Sequence, residues 1–161
     1  MKGFIIVLLA MLLSSGGLAQ QVIEMNEDDV AMKVQTWHYS RYENSNNANW
    51  LLKVKDGEGI YEVTFTFEGN DVLAAYTEEG MILWEQVNVA QENIPLVVTD
   101  LLDYQIVKYR IDSFVKFTTF DQLRKPVSES YKVVAFTKTG GKVVYWFDND
   151  LNIIPGKRDD G

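Results

Sequence analysis

Residues 131–150 read "YKVVAFTKTGGKVVYWFDND", and residues 61–80 read "YEVTFTFEGNDVLAAYTEEG". Both open on Tyr-x-Val, alternate apolar with polar side chains, break at glycine, resume and break again. Within 60–68, Tyr61, Val63, Phe65 and Phe67 fall on one face, and Glu62, Thr64 and Thr66 on the other. That is the pattern of an antiparallel strand with one face buried. Laid over each other without a gap, the two passages match Tyr61 with Tyr131, Val63 with Val133, Leu73 with Val143 and Tyr76 with Trp146. A hairpin that recurs in this way predicts a structural unit that recurs.

The flanking sequence extends both copies. Before the first, Asn26 is placed to cap a helix, with Glu27, Asp28 and Asp29 near its positive end. Met25 and Val30 fit a hydrophobic staple around that cap. Val30, Val34 and Trp37 recur at helical spacing, and the helix fades near Tyr42. "ENSNNAN" (43–49) reads as a polar loop and "WLLKVK" (50–55) as a strand. "VLAAYT" and "MILWEQVNV" (81–89) complete a four-strand meander. The cycle restarts at Pro95, which is tolerated in a helix's first turn, and "PLVVTDLL" offers a short apolar helix. Residues 104–120 alternate Val107, Tyr109 and Ile111 with Lys108, Arg110 and Asp112. "DQLRKPVSES" reads as a polar connection, and "LNIIP" (151–155) as a short last strand.

The expected fold class is therefore α+β: a tandem repeat of one helix plus about four antiparallel strands. The two copies would form one curved sheet with both helices on one face. The expected division is residues 1–19 as a signal peptide, 20–90 and 91–155 as the two repeats, and 156–161 as a disordered tail.

Trp50, Tyr61-Glu62-Val63-Thr64-Phe65, Tyr76 and Gly80 in the first half carry a resemblance to a known family. So do Tyr131-Lys132-Val133, Trp146-Phe147-Asp148 and Asn149 in the second. Their order resembles the PepSY-like, beta-lactamase-inhibitor-like secreted proteins of Bacteroidota and covers nearly the whole mature chain. The chain departs from that pattern in lacking a proline start to its first helix, in the Asn-rich loop before Trp50, in Asp150 and in the length of 117–130. The resemblance implies a tandem α/β unit, no established enzymatic activity, and an open sheet face with loops that grip a protein partner. Inhibition of a beta-lactamase would be fold analogy alone.

Lys2, the apolar run Phe4–Leu13 and the small residues Gly17-Leu18-Ala19 make a secretory signal with cleavage after Ala19. The run is too short to span a bilayer, and no later segment does so. The chain has no cysteine, hence no lipobox, no disulfide and no thiolate metal site. A periplasmic or secreted protein without a lipid anchor follows. The full sequence carries a net charge of −8, and loss of Lys2 makes it one unit more acidic. Such a surface repels phosphate backbones and anionic membranes, which argues against nucleic acid and against stable membrane insertion.

Catalytic chemistry is sparse. His38 is the single histidine, expected on a helix face, exposed or half-buried. A zinc site needs several converging nitrogen or sulfur ligands. No nucleophile elbow accompanies Ser40, Ser113, Ser128 or Ser130. "DNDLN" (148–152) begins like a calcium loop, but Ile153 and Asp159 stand where glycine and glutamate are needed, so a polar turn is the better reading. No cofactor and no metal are expected.

The aromatic residues are more telling: four Trp, eight Tyr and eight Phe, more than one core face needs. Strand parity puts Val134 and Phe136 opposite Tyr131 and Val133, and Thr64 and Thr66 opposite Val63. Phe136, Val134, Thr64 and Thr66 are thus the candidate partner-binding residues on the sheet face without helices. The competing reading has residues 117–130 folding over Phe136. The function expected is an exported, non-enzymatic module that binds an unidentified protein or peptide. A cell-envelope structural or assembly factor, or an unrecognised hydrolase, are the alternatives.

Overall fold

The computed structural model describes residues 21–55 and 57–155. The expected signal peptide and tail lie outside the described residues.

Eight strands form one open, curved antiparallel sheet in sequence order. They are β1 (Gln21–Met25), β2 (Asn46–Lys55), β3 (Glu58–Phe67), β4 (Asn70–Thr77), β5 (Ile82–Asn88), β6 (Tyr109–Phe120), β7 (Pro126–Thr137) and β8 (Lys142–Phe147). Helix α1 (Met32–Arg41) precedes β2, and α2 (Leu96–Gln105) precedes β6. Every neighbouring pair is antiparallel, and the chain is α+β with both helices on one face.

The helices cover the sheet through short apolar stripes. Val30, Val34, His38 and Tyr42 recur every four residues and are all buried. Residues four apart share one side of a helix, so this stripe faces the sheet. Beneath it lie Trp50, Tyr61, Val63, Phe65, Val72, Ala74, Tyr76 and Ile82. Ile94, Val98 and Leu102 cover a smaller cluster of Phe114, Val133 and Phe147.

Several boundaries differ from the sequence reading. Residues 21–25 form an unforeseen edge strand paired with β2, and Asn26 ends it. Glu27–Asp29 make one 3-10 turn, and α1 begins only at Met32. There the Gln35 side-chain amide donates to the carbonyls of Glu27 and Val30. The Asn-rich "loop" is mostly strand: β2 starts at Asn46 and bulges before Asn49. Val107 is not in β6; it is 89% exposed in the loop that Lys108 turns at φ 60°. The polar connection shrinks to a tight turn at 121–125, because β7 already begins at Pro126. There the Asp121 carboxylate accepts from the Leu123 and Lys125 amides while Arg124 takes a positive φ. The "last strand" is a single bridge, Phe147 to Ile153.

One correction changes faces. The first hairpin closes on Glu68-Gly69, both at positive φ, and pairs Tyr61 with Tyr76. The second closes on the three residues Lys138-Thr139-Gly140, with Thr137 N–H donating to Gly141 O, and pairs Tyr131 with Phe147. The extra residue shifts the second strand by one. Tyr76 is therefore equivalent to Phe147, and Leu73 to Val144, rather than to Trp146 and Val143. Side chains alternate with period two, so the slip moves Trp146 off the core face.

Candidate functional site

The face away from the helices can be read from the cross-strand register. One row runs Asn49, Thr64, Leu73, Gln86, Phe117, Ser130. The next runs Thr66, Asp71, Asn88, Val115, Lys132, Trp146. On the other side of the first row lie Leu51, Glu62, Ala75, Trp84, Thr119 and Ser128. Beyond Lys132, toward the far end of β7, come Val134 and Phe136. Thr64, Thr66, Val134 and Phe136 therefore share this face, as strand parity predicts.

They do not share one spot. Val134 and Phe136 lie on β7, while Thr64 and Thr66 lie four strands away on β3. Neighbouring strands are about 4.8 Å apart, which puts the pairs close to 20 Å from each other. The face thus has two regions of different chemistry.

The β6–β8 region is aromatic and cationic. The Phe117 and Trp146 rings pack at 5.1 Å, and the Lys132 ammonium lies 5.4 Å from the Trp146 ring. The Arg110 guanidinium sits 5.7 Å from the Phe136 ring and also pairs with Asp112 at 3.5 Å. Lys142 stands opposite Phe136 in register. Cations over ring faces are held by the ring quadrupole. Charge is uneven along the chain as well. Residues 20–90 hold four Lys and Arg against thirteen Asp and Glu, while residues 91–155 hold eight of each.

Residues 117–130 do not cover Phe136. They run the other way, and Phe120 pairs with Pro126 at the opposite end of the hairpin. The hairpin tip instead reaches the first helix. The Arg124 guanidinium stacks 3.2 Å from the centre of the Trp37 ring, and Arg41 lies 4.6 Å from Phe120. The extra length of this segment therefore ties the second half to α1.

Among the described residues, the β3–β5 region carries no aromatic–cation pairs. Asn47, Asn49, Thr64, Thr66, Gln86 and Asn88, together with the apolar Phe65, Val72, Leu73 and Val115, line a groove of about 390 Å³, with Asp71 as its one carboxylate.

On the helix side, His38 is fully buried rather than exposed or half-buried. It lies on the same stripe as Val34, and Trp37, one position off, stays 40% exposed. Its Nδ1 is 3.2 Å from the Tyr76 hydroxyl and its Nε2 3.3 Å from Ser45 Oγ. Trp50, Phe65, Tyr39 and Tyr42 enclose the ring. Burial pulls its pKa down to about 4. A general base works best with a pKa near the operating pH, and this imidazole is a structural hub instead. Burial, and then the Glu85 carboxylate, raise the pKa of Tyr42, which bonds Glu85 together with Arg41.

Residues 148–152 form a polar turn, as their sequence suggests. Asp148 Oδ1 accepts from the backbone amides of Asp150 and Asn152, each at 2.9 Å, and Leu151 takes φ 61°. These bonds, the Asn152 amide first, lower the Asp148 pKa. Among the described residues no group of His, Cys, Asp and Glu converges as a metal site. None of their helices is long and apolar enough to cross a membrane.

The class defined by this geometry is an antiparallel sheet backed by two helices on one side and open on the other. The same fold occurs in a BLIP-like protein from Bacteroides fragilis, which matches with a TM-score of 0.57 at 16% identity over 80% of this chain and 89% of that one. No protein-family model matches the chain, and no curated protein resembles it in sequence.

Proposed function

We propose that the chain is an exported, non-enzymatic module that binds a protein or peptide on its open sheet face, of the PepSY-like, BLIP-like type of Bacteroidota. The observation that carries this reading is the row of aromatic and cationic groups along the β6–β8 part of the face the helices leave open, with Phe117, Trp146 and Lys132 packed together and Phe136 beside Arg110 farther along β7, past the buried Val134. Aromatic rings with a cation beside them are the groups that dominate protein interfaces. The BLIP-like fold and the sequence motifs at Tyr61 and Tyr131 support the assignment. The basic-apolar-small order of residues 1–19 supports export to the periplasm or medium, and the two helix-plus-strand halves support a division near residue 90.

Phe136 is half-buried in the free chain and touches neither helix core. Phe136→Ala should leave the melting temperature nearly unchanged and weaken capture of the partner about tenfold or more. Affinity capture from the envelope and culture fluid of the source organism, with wild type and variant side by side, reads this out. Undiminished recovery of the same partner by a folded Phe136→Ala protein would remove this region from the site.

A further inference from the structure

The two halves of the sheet meet along one seam and one clasp. The seam is the β5–β6 ladder, which runs from Trp84 opposite Thr119 to Asn88 opposite Val115. The apolar interiors on either side of it do not merge: α1 covers one cluster and α2 another. The clasp lies on the helix side, where the far end of the β6–β7 hairpin reaches α1. Each half gives it one guanidinium and one ring. Arg124 of the turn stacks 3.2 Å from the centre of the Trp37 ring, and Arg41 of α1 lies 4.6 Å from the Phe120 ring of β6.

The turn holds its place weakly. Among the described residues, no hydrogen bond or ion pair joins 121–125 to the first half; Asp121 bonds the Leu123, Arg124 and Lys125 amides within the turn. The apolar side chains nearby do not add to the contact: Leu123 is 76% exposed and Val127 61%. Arg124, Ser40, Tyr76 and Ile82 line a cleft of about 350 Å³, so the turn is not packed solid onto the first core. Arg124 holds φ 61°, and its Nε–H is buried without an acceptor. Stacking a cation on an indole is favourable, and sealing an unpaired donor beside it is unfavourable by a similar amount. Arg41 keeps its bonds to Tyr42 and Glu85 whether or not the hairpin is in place.

We infer that the β6–β7 turn is a releasable strap that sets the angle between the two halves of the open face. Closed, Arg124 on Trp37 fixes that angle. Released, the halves pivot along the β5–β6 seam, because no shared core resists the motion. Neighbouring strands tolerate twists of roughly 10–35° in magnitude, so a short ladder can follow the pivot with its hydrogen bonds kept. The strap acts from the helix side. It therefore changes the spacing of the β3–β5 and β6–β8 regions while occupying neither. A ligand that bridged both regions would bind one strap state better and shift the balance between them.

The chain has no cysteine, so two can be introduced for nitroxide labels. Thr64→Cys and Ser130→Cys stand in one cross-strand row of the open face, one in each half. Pulsed electron–electron double resonance on the full, folded chain reads the distance between them. The otherwise unchanged chain should give one main distance and a minor one. Arg124→Ala should raise the minor population about fivefold, the loss expected for one cation–ring contact. Trp37→Leu should do the same, and the two together should do no more than either, because they remove a single contact. Arg124→Lys, which keeps a cation over the ring, should fall between wild type and Arg124→Ala. Neither Trp37 nor Arg124 belongs to a core cluster, so all these chains should fold. The inference is overturned if Arg124→Ala and Trp37→Leu leave the distance distribution unchanged, if their effects add, or if Arg124→Lys behaves as Arg124→Ala does.

Discussion

Acidification should destabilise this protein through His38, and the size of the effect follows from its surroundings. The imidazole is fully buried and faces the Tyr76 and Ser45 hydroxyls and the rings of Tyr39, Tyr42, Trp50 and Phe65. Glu85 and Arg41, which meet at the Tyr42 hydroxyl, pair with each other at 3.2 Å. Burial therefore lowers the pKa from 6.5 to about 4. The unfolded chain takes up a proton near 6.5, whereas the folded chain resists until about 4. Between those values the unfolded state holds more protons, so stability rises with pH there. His38's contribution is complete above about 6.5 and is lost progressively as pH falls toward 4. At roughly 1.4 kcal/mol per pH unit, the loss amounts to about 3 kcal/mol. A domain of this size is stable by roughly 5–15 kcal/mol, so the effect is large enough to measure.

Urea unfolding from neutral pH down to about pH 4 would measure it. Carboxylates contribute over part of the same range, so the quantity to read is the difference between wild type and His38→Gln. That variant keeps a hydrogen-bonding group but cannot titrate. The gap between the two curves should narrow by about 3 kcal/mol as the pH falls. Because the chain has one histidine, a single imidazole carbon-bound proton signal reports the native pKa directly. An imidazole that titrates near 6.5 in the folded protein, or two curves that stay parallel, would refute the buried, neutral assignment.

Other expectations follow from the same packing. Val63→Asp and Val133→Asp, both at fully buried positions, should unfold the chain or lower its melting temperature sharply, whereas Thr64→Asp on the open face should not; equal losses at 63 and 64 would contradict the face assignment. Gly80→Ala should cost more than Gly69→Ala in chemical denaturation, although both glycines have positive φ. A Cβ at Gly80 would lie 2.5 Å from Trp37 Cδ1 and 2.7 Å from the Lys33 carbonyl, and one at Gly69 meets nothing within 4 Å. Mass spectrometry of the exported protein should find Gln20 as the first residue, and an intact Met1 in a membrane pellet would count against the signal peptide.

The sheet was legible in the sequence because alternation is a local property. Tyr61-x-Val63-x-Phe65 and Tyr131-x-Val133 declare their buried face within five residues, and the register agrees. Elements whose identity depends on distant partners were not. β1 has four exposed residues out of five and exists because β2 lies beside it. The stretch from Asn46 to Asn49 has a composition that favours turns, yet β3 draws it into a strand at the expense of a bulge. His38 was misplaced because sequence spacing alone does not say whether Trp37 or its neighbour points inward. The larger, more apolar ring was the natural choice. Tertiary packing reversed it: Arg124, from the distant β6–β7 turn, supplies a surface partner for Trp37. The candidate site was half legible. Parity placed Thr64, Thr66, Val134 and Phe136 on one face, but the groove amides on β5 and the Phe117–Trp146 pair needed the strand order.

That pair shows how much one turn residue decides. With the two-residue turn of the first hairpin, Trp146 would stand where Phe147 does, against the second core, and Phe147 would lie on the open face. The core would then have to hold an indole beside Tyr131 and Val133, under the small cover of Val98 and Leu102. The three-residue turn at Lys138-Thr139-Gly140 avoids this. Gly140 takes φ 86°, and the Thr137 hydroxyl accepts from the Gly141 amide at 3.0 Å. The smaller ring goes inward, where Phe147 is 1% exposed. The larger ring goes outward beside Phe117 and Lys132. The first hairpin, with its shorter turn, sends Leu73 and Ala75 outward instead and leaves that half of the face without a ring from its second strand. The two halves share an architecture and a core pattern, but their turns differ by one residue. The difference between a groove of amides and apolar side chains over β3–β5 and an aromatic, cationic surface over β6–β8 therefore comes in part from turn length, as well as from which side chains the strands carry.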